Sequence, residues 1–363
     1  MRVLVVSDYR DTQAAKPEAE LLLALKRAGV DIRVITYPNT VYEKPFKNAG
    51  IPVALNHPAK KFDKKFIRDL KERTKRENID IFYLFNSQAI INGIFAAYSL
   101  PVKVVLYRGY TGHIHWYDPT AYLKYLNPRV DKIVCLADSI NDLLQHQKFF
   151  KKNKAITINK GHNPSWYQGI TALDLEEFKV PKDAFVVACM GNARPFKGIK
   201  YLLQATYLFE DVPDLHLLLI GRDMNKGQLQ QLIEESPMRN RIHVTGWRKD
   251  VLSILASCDV FVLPSIGGEA TTKSVIEAMS MGVAPIITDI YGNKGLLVHQ
   301  ESGLVVPPHD AQALADAIYF YYTHPELSHT HGDAAKLHIA KEFHIDRTVQ
   351  ETKALFQSLM EGS

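Results

Sequence analysis

Residues 259–288 read DVFVLPSIGGEATTKSVIEAMSMGVAPIIT. The β-branched and aromatic run 259–263 predicts a strand, Pro264 with Gly267 and Gly268 predicts a turn, and apolar residues at helical spacing follow from about residue 272–274. Gly282 is a helix stop, and 284–288 predicts another strand. Strand, turn, helix and strand make a crossover unit, which joins parallel strands, so this stretch decides for an α/β fold.

The same alternation continues on either side. Strands are predicted at 3–7, 32–37, 81–85, 103–107 and 132–136, with helical patterns at 18–27, 63–77 and 138–147. After a polar, turn-rich pause at 165–182, strands recur at 184–190, 215–220, 242–245, 259–263, 284–288 and 303–306. Two doubly wound domains are therefore expected, 1–168 and 180–343, in a chain whose 363 residues exceed one ordinary core. Residues 346–360 predict a capped amphipathic helix with Val349, Phe356 and Leu359 on one side, which pattern alone assigns to neither domain. Ligands of open parallel sheets bind outside the carboxyl ends of the strands, so two such domains facing each other are expected to form a cleft.

Composition narrows the class. Hydrophobic residues make up 46% of the chain and charged residues 23%, which excludes a disordered or fibrous protein. No apolar run is long enough to span a bilayer, and residues 1–7 are too short and polar-bounded for a signal peptide, so a cytoplasmic location is expected. Cys135, Cys189 and Cys258 are odd in number and far apart, so neither a disulfide framework nor a zinc site is expected. The net charge of +5 is uneven: nine Lys or Arg against three acids lie between Lys60 and Arg76, and Phe149, Phe150, Lys151 and Lys152 add a basic-aromatic patch. Such segments fit a solvated helix face or an anionic membrane surface, whereas nucleic acid is not expected because no recognition module accompanies the charge.

Residues 190–198, MGNARPFKG, follow an apolar strand and open the helical run 199–205. Strand, glycine turn and helix start gather free backbone N–H groups. Arg194 and Lys197 add two cationic donors, which suits a diphosphate or a basic helix start facing solvent. Glu269 and Glu277 also admit two readings. Ser274 with Glu277 fits a capping box, and Glu269 fits a loop carboxylate before a helix N-terminus. Equally, a carboxylate accepts both hydroxyls of a vicinal diol such as ribose presents, and a second acid nearby would reach a neighbouring sugar. No Asp-x-Asp follows a strand end in this domain and no His/Asp/Glu cluster has metal spacing. No metal is therefore expected, and leaving-group charge falls to Arg, Lys and helix N-termini. No Gly-x-Gly-x-x-Gly follows the first strand, which argues against a nicotinamide dehydrogenase.

Taken with Gly221 and Arg222 after a strand, Thr245-Gly246-Trp247, Asp250-Val251, Glu277-Ala278-Met279, Gly282 with Pro285, and 301–306, these motifs resemble retaining glycosyltransferase family four. The resemblance is strong over 184–320 and weaker but continuous elsewhere. It implies the GT-B architecture, two facing Rossmann-like doubly wound domains, with the C-terminal helix (344–363) crossing back to the N-terminal domain. It implies a donor site in which Gly191, Asn192, Arg194, Lys197 and Arg222 surround the nucleotide diphosphate, Glu277 holds the ribose and Glu269 meets the transferred hexose. Backbone amides of Ala270, Thr271, Thr272 and Lys273 lie nearby, and Trp247 contacts the base. His113 would stand near the donor sugar as a catalytic residue beside Glu269, Arg194 and Lys197.

The loop 108–118 follows a strand end, and its Tyr110, His113, His115 and Trp116 suit an acceptor sugar. The chain departs from the family pattern at Asn192, where an arginine is usual, at Gly295, where a glutamate is usual, and at 8–16, where a glycine-rich loop is usual. The expected activity is metal-independent, retaining transfer of a hexose from a nucleoside-diphosphate sugar to a glycan or lipid-linked acceptor. Polysaccharide or lipopolysaccharide assembly at the inner membrane face is the expected setting. A sugar-nucleotide 2-epimerase and a non-catalytic nucleotide-sugar-binding protein are the alternatives; the spacing of the two glutamates argues against the epimerase.

Overall fold

The computed structural model describes residues 1–10, 12–110, 114–269, 272–293 and 295–361, with only the backbone of 12–14. The chain divides into two compact units, one of Met1–Gly161 with Ile345–Ser363, the other His162–His344.

In the first unit, β1 (Arg2–Val6), β2 (Asp31–Ile35), β3 (Val53–Ala54), β4 (Ile81–Leu84), β5 (Lys103–Arg108), β6 (Lys132–Cys135) and β7 (Ala155–Thr157) form one sheet in the order β3-β2-β1-β4-β5-β6-β7. All its pairs are parallel. The helices between them are α1 (Thr12–Arg27), α2 (Glu43–Asn48), α3 (Lys64–Glu77), α4 (Ser87–Ala97) and α5 (Asp138–Gln145). The order reverses direction between β1 and β4, the switch point of a doubly wound sheet.

Local differences from the sequence reading have local causes. From Thr12 onward the stretch read as a loop is helix; Pro17 reads as a breaker but lies inside α1. α4 carries no amphipathic signal because it is buried nearly all round, from Ala89 to Ala97. β3 and β7 are too short to leave a pattern.

The second unit repeats the plan. Strands β8 (Phe185–Met190), β9 (Leu215–Ile220), β10 (Ile242–Gly246), β11 (Val260–Leu263), β12 (Ala284–Thr288) and β13 (Leu304–Val306) lie in the order β10-β9-β8-β11-β12-β13, all parallel. Its helices are α6 (Ile199–Ala205), α7 (Gln228–Glu235), α8 (Val251–Leu255), α9 (Lys273–Ser280), α10 (Ala311–Thr323) and α11 (Pro325–Glu342). Alternate residues of each strand feed opposite cores. Val187, Leu217 and Val262 pack with α6 and α10, whereas Ala188, Leu218 and Phe261 pack with α8, α9 and α11.

The passage between units falls at Gly161 and His162, ahead of the turn-rich 165–182 segment, which packs on the second unit through Leu175 and Val180. The His162 N–H donates to the Phe343 carbonyl at 2.7 Å, so entry and exit of this unit lie side by side. The last helix, α12 (Ile345–Glu361), belongs to the first unit. Phe356 is fully buried with its ring centroid 5.4 Å from that of Tyr83, and Lys353 Nζ donates to the Ala28 carbonyl at 2.8 Å.

Glu18 on α1 lines a small pocket with Tyr83, Tyr107 and Thr352 of α12. Burial pushes its carboxyl up from 4.5 to about 7, against the pull of the Lys160 charge and a hydrogen bond from Tyr107. The folded chain then binds more protons than the unfolded one between those values, so this group's contribution falls as pH rises through them. Glu18→Gln is predicted to raise the melting temperature at pH 8 and to change it little at pH 4, as thermal melts at the two pH values would show.

Candidate active site

The switch point of the second sheet lies between β8 and β11, and the turns after those strands carry the charged residues. Gly198 (φ +64°) joins the turn to α6, and a Cβ there would overlap the Pro264 carbonyl at the end of β11. The Ile266 N–H donates to the Phe196 carbonyl at 2.8 Å and fastens the two turns together. Lys197 and Glu269 consequently meet: Nζ to Oε1 is 2.6 Å, with both side chains largely buried.

Glu269 Oε1 also accepts from the Ser265 hydroxyl at 2.8 Å. Behind it, the Thr288 hydroxyl donates to the Ser265 carbonyl. Gly292 leaves room for the Glu269 carbonyl, which a Cβ would strike. Sequence reasoning missed Ser265, Thr288 and Gly292, because nothing in their local pattern marks them.

Glu277 is buried within α9 and accepts from Lys273 Nζ at 2.6 Å, one turn away. The capping-box reading does not hold. The helix starts at Lys273 with Thr272 as its N-cap, so Ser274 lies inside the first turn and cannot cap it. Thr272 makes no side-chain cap bond, and both Thr272 Oγ1 and Ser274 Oγ are buried without a partner among the described residues. The start of α9 therefore holds two buried, unused hydroxyls in the same helix end as the Lys273–Glu277 pair. Tyr167, raised by burial and by the Glu277 charge, packs nearby and bonds His162 Nδ1 at 3.0 Å.

The other residues expected on the donor side lie at neighbouring strand ends of the same unit. The Gly191 N–H donates to the Ile220 carbonyl at 2.9 Å, and Asn192 Oδ1 accepts from the Arg222 N–H at 3.4 Å, joining the ends of β8 and β9. Arg194 is exposed and lines a cavity of about 450 Å³ with Ile199, Lys200, Asp223, Lys226 and Ile266. Trp247 is half exposed, and the Arg222 guanidinium lies 6.0 Å from its ring centroid. Ala270 and Thr271 lie outside the described residues. Among the described residues no group of three His, Cys, Asp or Glu is arranged to hold a metal, and the three cysteines are free and buried.

In the first unit the structure separates the residues of the 108–118 loop. Arg108 ends β5 fully buried, its guanidinium 4.4 Å from the Tyr110 ring centroid and 4.3 Å from that of Tyr125. His115 stacks on Tyr117 at 4.9 Å, and the Trp116 N–H donates to Gln147 Oε1 at 3.0 Å, beyond the last turn of α5. Tyr110 thus keeps to the strand end, whereas Trp116 joins the segment after α5. His113 lies outside the described residues.

A polar cluster that sequence reasoning did not single out sits where β1 to β4 end. Arg10 forks the Asp8 carboxylate at 2.6 and 2.9 Å and lies 3.9 Å from the Tyr37 ring centroid. Asn86 Nδ2 donates to His57 Nε2 at 2.8 Å, leaving the Nδ1 proton for the Pro58 carbonyl at 3.0 Å. Burial drives the His57 pKa down to about 4, so the ring is neutral at physiological pH.

Two doubly wound parallel units, with a charged and hydroxyl-lined site at the switch point of the second, define the GT-B class of fold. The solved structure of Anabaena HepE in complex with UDP has the same fold, with a TM-score of 0.80 over 99% of this chain and all of that one at 17% identity. Residues 19–166 match the family model Glycosyltransferase Family 4, and residues 172–338 match Glycosyl transferases group 1. The chain belongs to this family of glycosyltransferases. It is 24% identical, over 81% of its length and 79% of the relative's, to an Escherichia coli UDP-Gal:alpha-D-GlcNAc-diphosphoundecaprenol alpha-1,3-galactosyltransferase. It is 31% identical to a lipopolysaccharide core biosynthesis glycosyltransferase of Rhizobium meliloti, over 39% of this chain and 40% of that one.

The seating of Gly198 is open to direct test. Gly198→Ala combines a left-handed backbone with a collision against backbone and is predicted to destabilise the chain by about 2–4 kcal/mol. Gly50→Ala, just past the end of α2 and also at positive φ but with open space around it, should cost only about 1 kcal/mol. Urea denaturation of the two variants measures the difference.

Proposed function

We propose that the chain transfers a hexose from a nucleoside-diphosphate sugar to a lipid-linked or glycan acceptor, with retention at the anomeric carbon and without a metal. The observation that carries this reading is the Lys197–Glu269 pair beside the uncapped start of α9. A diphosphate entering there would draw Lys197 to its oxygens and accept hydrogen bonds from the backbone N–H groups at the uncapped start of α9. Glu269, held by Ser265, would then be free to accept from hydroxyls of the transferred sugar, and Glu277 from those of ribose. The cavity beside Arg194 is large enough for part of a nucleotide.

In the step proposed, the bond between the anomeric carbon and the diphosphate oxygen breaks as the acceptor hydroxyl forms its bond on the same face. The departing diphosphate takes up the negative charge, and one of its oxygens receives the acceptor proton. Lys197 and Arg194 stabilise that charge where it develops, which lowers the barrier more than equal binding of donor and product would. Orientation of the sugar by Glu269 adds to this. Tyr110 with the 108–118 loop is the acceptor side in this reading. The diphosphoundecaprenol in the E. coli relative's name supports an acceptor borne on a lipid, and with it attachment at a membrane surface.

A binding and hydrolysis screen across UDP-, GDP- and ADP-sugars is expected to select one base, with activity persisting in chelator. Lys197→Ala is predicted to lower kcat by about a hundredfold or more at saturating donor. Full turnover by that variant would overturn the leaving-group role. Interconversion of a nucleotide sugar with no acceptor present would favour an epimerase, and tight nucleotide binding with no product from any acceptor would favour a binding protein.

A further inference from the structure

The first unit carries a second concave, charged place that the donor site does not use. A cavity of about 300 Å³ opens among Tyr125, Phe150, Lys148, Lys151 and Lys154. On its rim Phe149 is 85% exposed and held at φ +66°, a backbone region that a bulky side chain occupies only at a cost in strain. From Phe149 a string of rings crosses the surface. Its centroid lies 6.3 Å from that of Trp116, whose carbonyl accepts from the Tyr122 hydroxyl at 2.9 Å. Asn127 links Tyr122 to Tyr98, donating to the Tyr122 carbonyl at 2.7 Å and accepting from the Tyr98 hydroxyl at 3.1 Å. Tyr98 lies 6.4 Å from Phe95, and Phe95 lies 5.2 Å from Phe62, which precedes α3. Each of these six rings is at least 36% exposed.

Cations accompany the rings. Lys148 Nζ lies 4.8 Å from the Trp116 ring centroid. Burial and the neighbouring Lys151 charge push the Lys154 ammonium below its ordinary value, a strain that an anion would relieve. α3, where the positive charge is densest in the sequence, is different. Its apolar residues Phe66 and Leu70 are already buried in the unit, so its exposed side offers charge with little to insert. Exposed rings, three of them Trp or Tyr with a polar edge and three of them Phe, accompanied by lysines, match the chemistry of the interface between headgroups and acyl chains.

We propose that this aromatic and lysine face of the first unit seats on an anionic bilayer, with the phosphate of a lipid headgroup entering the cavity lined by Lys148, Lys151 and Lys154. The inference rests on the lipid-linked acceptor proposed above, because docking of this face would hold the chain where such an acceptor lies.

Co-sedimentation of the full chain with vesicles tests it, in the absence of donor and acceptor. Vesicles of phosphatidylcholine alone are expected to leave the protein in solution, and an equal mixture with phosphatidylglycerol to bind it at low salt and release it as salt is added. Phe149→Gly should weaken binding several-fold while the melting temperature holds or rises, since glycine suits the left-handed backbone. Lys148→Gln with Lys151→Gln should weaken it by roughly fivefold per lysine. A pair on α3, Lys65→Gln with Lys75→Gln, should lose less. Absence of wild-type binding to the mixed vesicles would overturn the proposal. So would wild-type binding by the Phe149 and Lys148/Lys151 variants, or self-association in sedimentation without vesicle binding. Donor affinity measured on the same variants by calorimetry separates this outcome from failure of the transferase reading, which would leave vesicle binding intact.

Discussion

The candidate site depends on one close approach, the turn at Gly198 lying against the carbonyl of Pro264. Any side chain at that position would hold the two strand ends apart, and the Lys197–Glu269 contact would open. Two charges brought out of water together lose most of their mutual attraction to desolvation, so the pair adds little net stability. What it does is keep an ammonium and a carboxylate poised at a switch point, with the Ser265 hydroxyl satisfying part of the carboxylate.

The two units divide the chemistry. The second holds a compact set of charges on strand ends whose neighbours are fully buried, a rigid base for groups that must be placed to within a fraction of an ångström. The first holds a neutral His57, a forked Asp8–Arg10 pair and a surface rich in exposed rings, features suited to recognising something larger. α12 is in this sense a structural part of the first unit: Phe356 fills its core against Tyr83, although the whole second unit intervenes in sequence.

Legibility followed the range of the interactions. Apart from the short β3 and β7, the strands of both sheets could be read because alternation between buried strands and amphipathic helices is a property of adjacent residues. α4 could not, since a helix buried all round has no contrast of period 3.6. Lys197, Glu269 and Glu277 stood out in the sequence by their positions after predicted strands. The cluster of Asp8, Arg10, Tyr37, His57 and Asn86 did not, because its members come from the ends of separate strands and no spacing links them.

By itself the sequence determined the class of fold, the places where strands give way to charged turns, and the family to which the motifs belong. It left two readings of Ser274 with Glu277, and only the structure excluded the cap, because the helix start at Lys273 moves Ser274 out of the capping position. Only the structure joined Lys197 to Glu269, and only the structure sent Tyr110 and Trp116 of one loop to different places. The physical reason is the same in each case. Periodicity and turn chemistry are local, whereas which side chains meet is set by how parallel strands from distant parts of the chain pair and where their ends converge.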